Sequence, residues 1–370
     1  MPESNLHKLS ALGQSVWIDF LSRQMLRSGK LARMMEEDAV VGVTSNPTIF
    51  QKAIAEGSAY DEQLKEILES GEGDPKEIFL QLTSHDIADA CGLLRTVWDA
   101  GGGQDGYVSW EVDPTLAYDR DGTIAEARRL HDWIERPNLY VKIPATEPGL
   151  GAIEEMIASG RNINVTLIFS LKRHQEVMEA YIRGVERLVE SGGDPSTVHS
   201  VASFFVSRVD TETDRRLDEI GGDATKLAGK LGIANAKLAY QNYLATFQGP
   251  RWEALAAKGA TKQRCLWAST STKNPEYRDV MYVEELIGPE TVNTMPEETI
   301  RGFQDHGKVE LTLAEDADAA RRLFEELAAA GVDYDDVTDT LEHEGVQKFI
   351  DSFHELLDGI GAKRGELVKA

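Results

Sequence analysis

The chain has 370 residues, 41% of them hydrophobic. That is enough to bury a large core, as two ordinary domains or as one barrel with insertions. Its 39 basic and 63 acidic residues leave a formal charge of −24, which argues against nucleic acid or an anionic membrane as partner. An anionic substrate would therefore need a local cluster of positive charge.

Only Cys91 and Cys265 occur, both in apolar segments and outside any motif, so they read as reduced core residues. The first residues, MPESNLHKLSALGQ, lack a basic stretch followed by an apolar one, and no apolar run approaches a membrane span. The expectation is a cytoplasmic protein, and either a monomer or a homodimer is compatible with it.

Short apolar runs alternate with helical patterns along the chain. After a short N-terminal helix, the first strand is expected at Val16–Phe20, a helix at Ser22–Met35 and the second strand at Ala39–Thr44. A polar and helical insertion follows over about Pro47–Ala100. Within it Asp74-Pro75-Lys76-Glu77 is a helix start, and Ile78, Phe79, Leu82, Leu93, Leu94, Val97 and Trp98 give one face. Tyr107–Val112 is the third strand. Thr123 with Glu126 reads as a capping box for a helix that turns Ile124, Leu130, Trp133 and Ile134 inward. The fourth strand lies in Leu139–Thr146, a short helix at Gly149–Ala158, and the fifth strand at Asn162–Phe169. Ser170 caps a long helix, Val198–Val206 is the sixth strand, and Ala224–Phe247 is helical. Arg264–Ala268 is the seventh strand and Glu290–Met295 a weakly marked eighth. Near the end, Thr312 with Glu315 reads as a capping box, Gly331 as a helix stop, and Val346, Phe349, Ile350, Phe353, Leu356 and Leu357 as one helical face. Eight strands alternating with helices favour an α/β fold, a single (β/α)8 barrel over 1–370. Its core strands span about 16–295. Additional helices lie at the N-terminus, in the insertion between the second and third strands, and over about 312–358.

Two motifs mislead. Gly101-Gly102-Gly103-Gln104-Asp105-Gly106 matches G-x-G-x-x-G, but it follows a helix and precedes a strand, the reverse of a dinucleotide site, so a turn is the reading. Asn164-Val165-Thr166 matches a glycosylation sequon but lies in a strand. The eight histidines are scattered, and no metal site or cofactor motif is visible.

A barrel collects its chemistry at the C-terminal ends of its strands. The polar residues there are Asp19, Asn46, Glu111, Lys142, Asn164 with Thr166, Ser203 with Arg208, and Ser269, Ser271 and Lys273. Each has a bland alternative. Asp19 could cap a helix and Asn46 could serve a turn before Pro47. Lys142 could snorkel to water, Glu111 could pair with a lysine, and Arg208 could form a surface salt bridge with Asp210, Glu212 or Asp214. Jointly they are less bland, because polar groups on apolar strands are costly and seven successive strands carry them near one end. Lys142 is the odd residue: an amine desolvated between Val141 and Ile143 is kept partly neutral and can attack a carbonyl.

These segments are similar to a known family. Val43-Thr44-Ser45-Asn46-Pro47-Thr48-Ile49-Phe50, Val108-Ser109-Trp110-Glu111-Val112-Asp113-Pro114 and Val141-Lys142-Ile143-Pro144-Ala145-Thr146 come first. Ile163-Asn164-Val165-Thr166-Leu167-Ile168-Phe169-Ser170 and Ser203-Phe204-Phe205-Val206-Ser207-Arg208-Val209-Asp210 follow in order. The chain resembles transaldolases over nearly its whole length, in the longer, actinobacterial form. The resemblance implies Lys142 as Schiff-base lysine, Asp19 as acid/base at the hydroxyl beside the breaking C–C bond, and Glu111 acting through a water positioned with Thr166. It implies Asn46 and Asn164 on the dihydroxyacetone hydroxyls, Ser203 and Arg208 on the sugar phosphate, and Phe205 shaping the pocket. Shorter transaldolases carry Ser-Phe-Arg-Asn after the seventh strand; here Ser271-Thr272-Lys273-Asn274 stands there, so Lys273 would replace a bidentate arginine by a point charge. The implied reaction transfers dihydroxyacetone between sugar phosphates without metal or cofactor. A fructose-6-phosphate-type aldolase is the first alternative, but that subgroup is much shorter and has glutamine where Glu111 stands. A barrel that binds sugar phosphates without turnover is the second, and a lost lysine or carboxylate would be its sign.

Overall fold

The structure, a computed structural model, describes residues 4–55 and 58–367. Helix α1 (Asn5–Ala11) precedes strand β1 (Gln14–Ile18), and helices α2 (Arg23–Arg27) and α3 (Lys30–Glu37) lead to β2 (Val40–Val43). The insertion is helical: α4 (Pro47–Ala55), α5 (Asp61–Glu69) and α6 (Pro75–Ala100). Then β3 (Tyr107–Glu111), α7 (Arg120–Ile134), β4 (Leu139–Pro144), α8 (Glu147–Ala158), β5 (Ile163–Ile168), α9 (Leu171–Glu190) and β6 (Ser200–Phe205) alternate. Helices α10 (Ser207–Ile220), α11 (Leu231–Thr246) and α12 (Gly249–Ala256) precede β7 (Arg264–Ala268), and α13 (Met281–Glu284) precedes β8 (Thr291–Met295). The chain continues with α14 (Glu297–His306), α15 (Ala317–Ala330) and α16 (Tyr334–Leu367). Among the described residues no helix is long and apolar enough to cross a membrane.

The eight strands form a closed parallel barrel in sequence order. This is the expected α/β barrel with additional helices. The weakly marked β8 closes it, pairing with β1 from Gln14↔Thr291 to Ile18↔Met295 and with β7. Its polar side chains are bonded in part to the surroundings: Thr270 donates to Asn293 Oδ1 and the Thr291 hydroxyl donates to the Gly288 carbonyl, while Asn293 Nδ2 is buried with no hydrogen-bond partner among the described residues. Polar side chains bonded to neighbouring elements make a buried strand look weak in sequence.

Side chains alternate into the barrel in layers. The floor is aromatic: the Tyr107 and Tyr140 rings stack at 4.0 Å, with Trp17 6.1 Å from Tyr140. A Cβ on Gly42 would lie 2.4 Å from the Trp17 ring, so β2 needs glycine there. The glycine-rich turn closes this floor: Tyr107 donates to the Gly103 carbonyl, and Asp105 accepts from Ser15, Trp17 and Arg264. Above the floor, Asn164 links β3 to β6, donating to Ser109 Oγ and accepting from Ser203 Oγ.

Several local expectations shift. Strand β1 begins and ends two residues early, because Gln14 is a buried polar start that donates to the Leu286 carbonyl and Thr291. The helix expected over 22–35 breaks at Gly29, whose φ is +68°. Asp119, not Thr123, caps α7; the Thr123 hydroxyl donates to the Leu116 carbonyl, and Glu126 ion-pairs with Lys76. Trp133 and Leu93 are over a third exposed rather than facing inward. Thr146 starts α8 at Glu147 by accepting from the Gly149 amide. The expected Thr312 cap is not formed: its hydroxyl donates to the Glu284 carbonyl, and α15 starts after Asp316 at φ +58°. The span 224–247 divides into one 3-10 turn and α11, and α10 was hidden by its charged run.

Candidate active site

At the C-terminal end of the barrel lies a cavity of about 230 Å³. Asp19, Asn46, Lys142, Thr166, Ser203, Phe205, Arg208, Ser271 and Lys273 line it, so residues at the ends of six strands meet there. Glu111 and Asn164 do not line it. Glu111 reaches its edge through Lys142, and Asn164 is fully buried beneath, its amide engaged by Ser109 and Ser203.

Lys142 is buried on β4, next to Glu111 on β3 and Asn164 on β5 in the strand register. Its Nζ donates to the Ser45 carbonyl at 3.0 Å and lies 3.3 Å from Glu111 Oε2. The snorkelling alternative fails, because the amine ends inside the barrel. That ion pair lacks hydrogen-bond geometry: among the described residues neither Glu111 oxygen has a hydrogen-bond partner, and neither does buried Thr166 Oγ1. Burial pushes Glu111 up to about 7 against the charge of Lys142. A carboxylate balanced near neutrality beside an amine can both take and give a proton.

Asp19 follows β1 directly, its backbone amide donating to the Met295 carbonyl. It caps no helix; Ser22 caps α2. Burial raises the Asp19 carboxyl above its ordinary value, opposed by the Thr44 hydrogen bond and then by Lys142, Arg208 and Lys273. Asn46 does serve locally, since its Oδ1 accepts from the Ile49 amide at the start of α4, yet it also faces the cavity.

The cations gather at the mouth. Arg208 opens α10 with its guanidinium 5.1 Å from the Phe205 ring. Its acidic neighbours are engaged elsewhere: Asp210 with the Gly232 amide and Tyr282, Glu212 with Arg215 and Arg216, Asp214 with the Gly229 amide and Tyr277. The surface salt-bridge reading therefore does not hold. Arg208 Nη1 is buried with no hydrogen-bond partner among the described residues. Burial lowers the Arg208 pKa, with Asp19 and Glu344 opposing. Lys273 donates to Ser271 Oγ at 2.8 Å on the same rim. Two cations at one mouth of an acidic protein suit a phosphate. Among the described residues no cluster of His, Cys, Asp and Glu could hold a metal ion.

Comparison with known proteins gives the family of the chain. The family model described as Transaldolase/Fructose-6-phosphate aldolase matches residues 16–360. The chain belongs to that family. It is 54% identical over 362 residues to a transaldolase of Frankia alni, covering 97% of each chain. A transaldolase of Mycolicibacterium paratuberculosis is 52% identical over 368 residues, 99% of this chain and 98% of its own. One of Acidothermus cellulolyticus is 53% identical over 353 residues, covering 95% and 94%.

Family motifs centre on the strands, and the residues missed in sequence lie beside or beyond them. Thr44, inside a quoted motif, donates to Asp19 Oδ1 and meets Thr294 Oγ1 at 2.7 Å. Its polar side chain at the end of an apolar strand was the available signal. Glu298 on α14 and Phe349 on α16 also line the cavity. Phe349 was legible only as part of a helix face; nothing in that periodicity says that the face covers a barrel mouth.

Proposed function

We propose that this protein is a transaldolase, passing a dihydroxyacetone unit from sedoheptulose 7-phosphate to glyceraldehyde 3-phosphate, reversibly, through a Schiff base on Lys142. Erythrose 4-phosphate and fructose 6-phosphate are the products. The observation that carries this reading is the buried Lys142 amine 3.3 Å from a Glu111 carboxyl whose pKa is near 7, in a site also holding Asp19.

In this mechanism the neutral Lys142 Nζ attacks the ketose carbonyl, and Glu111, with Thr166 and a water, moves the protons that let the carbinolamine lose water. The iminium is then an electron sink. Asp19 takes the proton of the hydroxyl beyond the bond to be broken, the C–C electrons flow toward nitrogen, and the aldose phosphate leaves. The bound three-carbon enamine adds to the acceptor aldehyde by the reverse path. Asn46 and Ser203 orient the hydroxyls, with Asn164 holding Ser203 from below. Arg208 and Lys273, supported by Ser271, hold the phosphate, and Phe205 forms the wall under Arg208. Both cysteines are free and buried, as suits a reducing compartment, and we assign the reaction to the cytoplasm.

Borohydride added with fructose 6-phosphate tests the reading. The stable adduct is expected on the peptide carrying Lys142; a label on another lysine, or none, refutes it. Free dihydroxyacetone as the main product with acceptor present would instead mark an aldolase.

A further inference from the structure

Helix α16 crosses the mouth of the barrel. Arg173–Glu342 and Arg216–Asp336 tie its first half to α9 and α10, and Thr48 donates to Ser352 from α4. Its Gly345 faces the barrel, where a Cβ would sit 3.2 Å from Leu167 and 3.3 Å from Phe169. This close approach delivers Phe349 into the cavity, 6% exposed, with its ring centroid 5.8 Å from Lys142 Nζ.

Transfer chemistry has a difficulty that this placement answers. Glu111 and Thr166 bring polar oxygens without hydrogen-bond partners among the described residues near the amine, and groups that form an imine also hydrolyse it, by microscopic reversibility. For transfer, the three-carbon unit must wait on the lysine until an aldehyde arrives. No rearrangement of those polar groups can favour imine formation while disfavouring hydrolysis of the same imine, and limiting the water that reaches its carbon is one way to discriminate. Two aromatic rings line the cavity. Phe205 packs against Phe169 and Arg208, whereas Phe349 faces the reacting nitrogen. The iminium is a cation in the same place as the ammonium, so a ring face there remains compatible with the charge.

We propose that Phe349 is a specificity-determining residue that keeps water from the intermediate on Lys142 and so favours transfer over release of free dihydroxyacetone. The proposal rests on the Lys142 Schiff-base reading. In the release that it suppresses, the enamine takes a proton at carbon, water adds to the iminium carbon, and the C–N bond breaks. The products are the ketone and the amine.

The test measures free dihydroxyacetone formed from fructose 6-phosphate, as a ratio to transfer onto an acceptor aldehyde. Phe349→Ala is expected to raise the ratio about tenfold, which corresponds to about 1.4 kcal/mol between the two barriers. Phe349→Leu keeps the apolar bulk and is expected to hold the ratio near that of the unaltered protein. A merely structural role would lower both rates in parallel, and that outcome, or an unchanged ratio in Phe349→Ala, overturns the proposal. If Phe349→Ala does not fold, Phe349→Gln places an amide at the same point; a raised ratio supports the proposal and an unchanged one overturns it. Borohydride trapping on the unaltered protein separates the two readings, since its failure removes the Schiff base itself whatever the ratio does.

Discussion

Thr44 Oγ1 donates to Asp19 Oδ1 at 2.6 Å. A hydroxyl has one proton, so in its 2.7 Å contact with Thr294 Oγ1 the Thr44 oxygen is the acceptor. The chain Thr294 to Thr44 to Asp19 thus ends on a carboxylate that burial alone would hold protonated to higher pH. Asp19 must be ionised to accept a hydroxyl proton. Replacing Thr44 by valine removes a hydrogen bond to a charge, worth about 1.5–3 kcal/mol. Thr44→Val is expected to shift the acid limb of C–C cleavage to higher pH and to slow cleavage at neutral pH by about tenfold or more. The pH profile of kcat/KM for fructose 6-phosphate cleavage checks this. An unshifted limb would mean that Thr44 does not act through Asp19.

Glu111 lies beside the amine with a pKa near 7. Glu111→Gln keeps the shape and removes the proton exchange, so borohydride trapping on Lys142 should slow by about 10²–10⁴-fold, the range of general acid–base catalysis. The trapping rate should also lose its inflection near pH 7. An inflection that persists in the variant belongs to another group.

Arg208 is a half-buried cation at the mouth whose Nη1 is buried with no hydrogen-bond partner among the described residues. Arg208→Ala is expected to raise KM for phosphorylated ketoses by roughly 10²-fold, since charge-assisted hydrogen bonds contribute about 1.5–3 kcal/mol each. Lys273→Ala, which removes a point charge on the rim, should do less. Unphosphorylated fructose is the control, and its KM should barely change in either variant. Equal losses for both sugars would make the residues structural rather than phosphate ligands.

How far the sequence reaches depends on where each signal lies. Lys142, Glu111 and Thr166 were legible because polar residues inside apolar strands are costly and stand out. Asn164 was legible as a buried polar residue, but not as a joint between Ser109 and Ser203, because partners across strands depend on register. Strand β8 was faint because its polar side chains meet groups far away in the chain, Thr291 accepting from Gln14 and Thr294 meeting Thr44. Helix α10 was hidden because its run of charges, of which Asp210 and Glu212 are buried, masks the narrow stripe of Val209, Thr213 and Leu217. The crossing of α16 over the mouth is a tertiary choice: the face holding Phe349 and Phe353 would read the same against any apolar surface.

Asp210, two residues beyond Arg208, gives a stability prediction separate from catalysis. It accepts from the Gly232 amide at 2.6 Å and from the Tyr282 hydroxyl at 2.8 Å, and burial still pushes it up to about 7 from 3.8. A carboxyl raised in the folded state binds its proton more tightly there than in the unfolded chain. Its contribution is therefore fully present below about pH 4 and is lost as pH rises through about 7. Within that window the slope approaches about 1.4 kcal/mol per pH unit. Asp210→Asn does not titrate, so its stability should fall less than that of the unaltered protein between pH 5 and pH 8. Denaturant unfolding at the two pH values measures this as a double difference, in which Glu111, raised in the same direction, cancels. Parallel losses in the two proteins would show that Asp210 is already ionised across that range and held by its two donors.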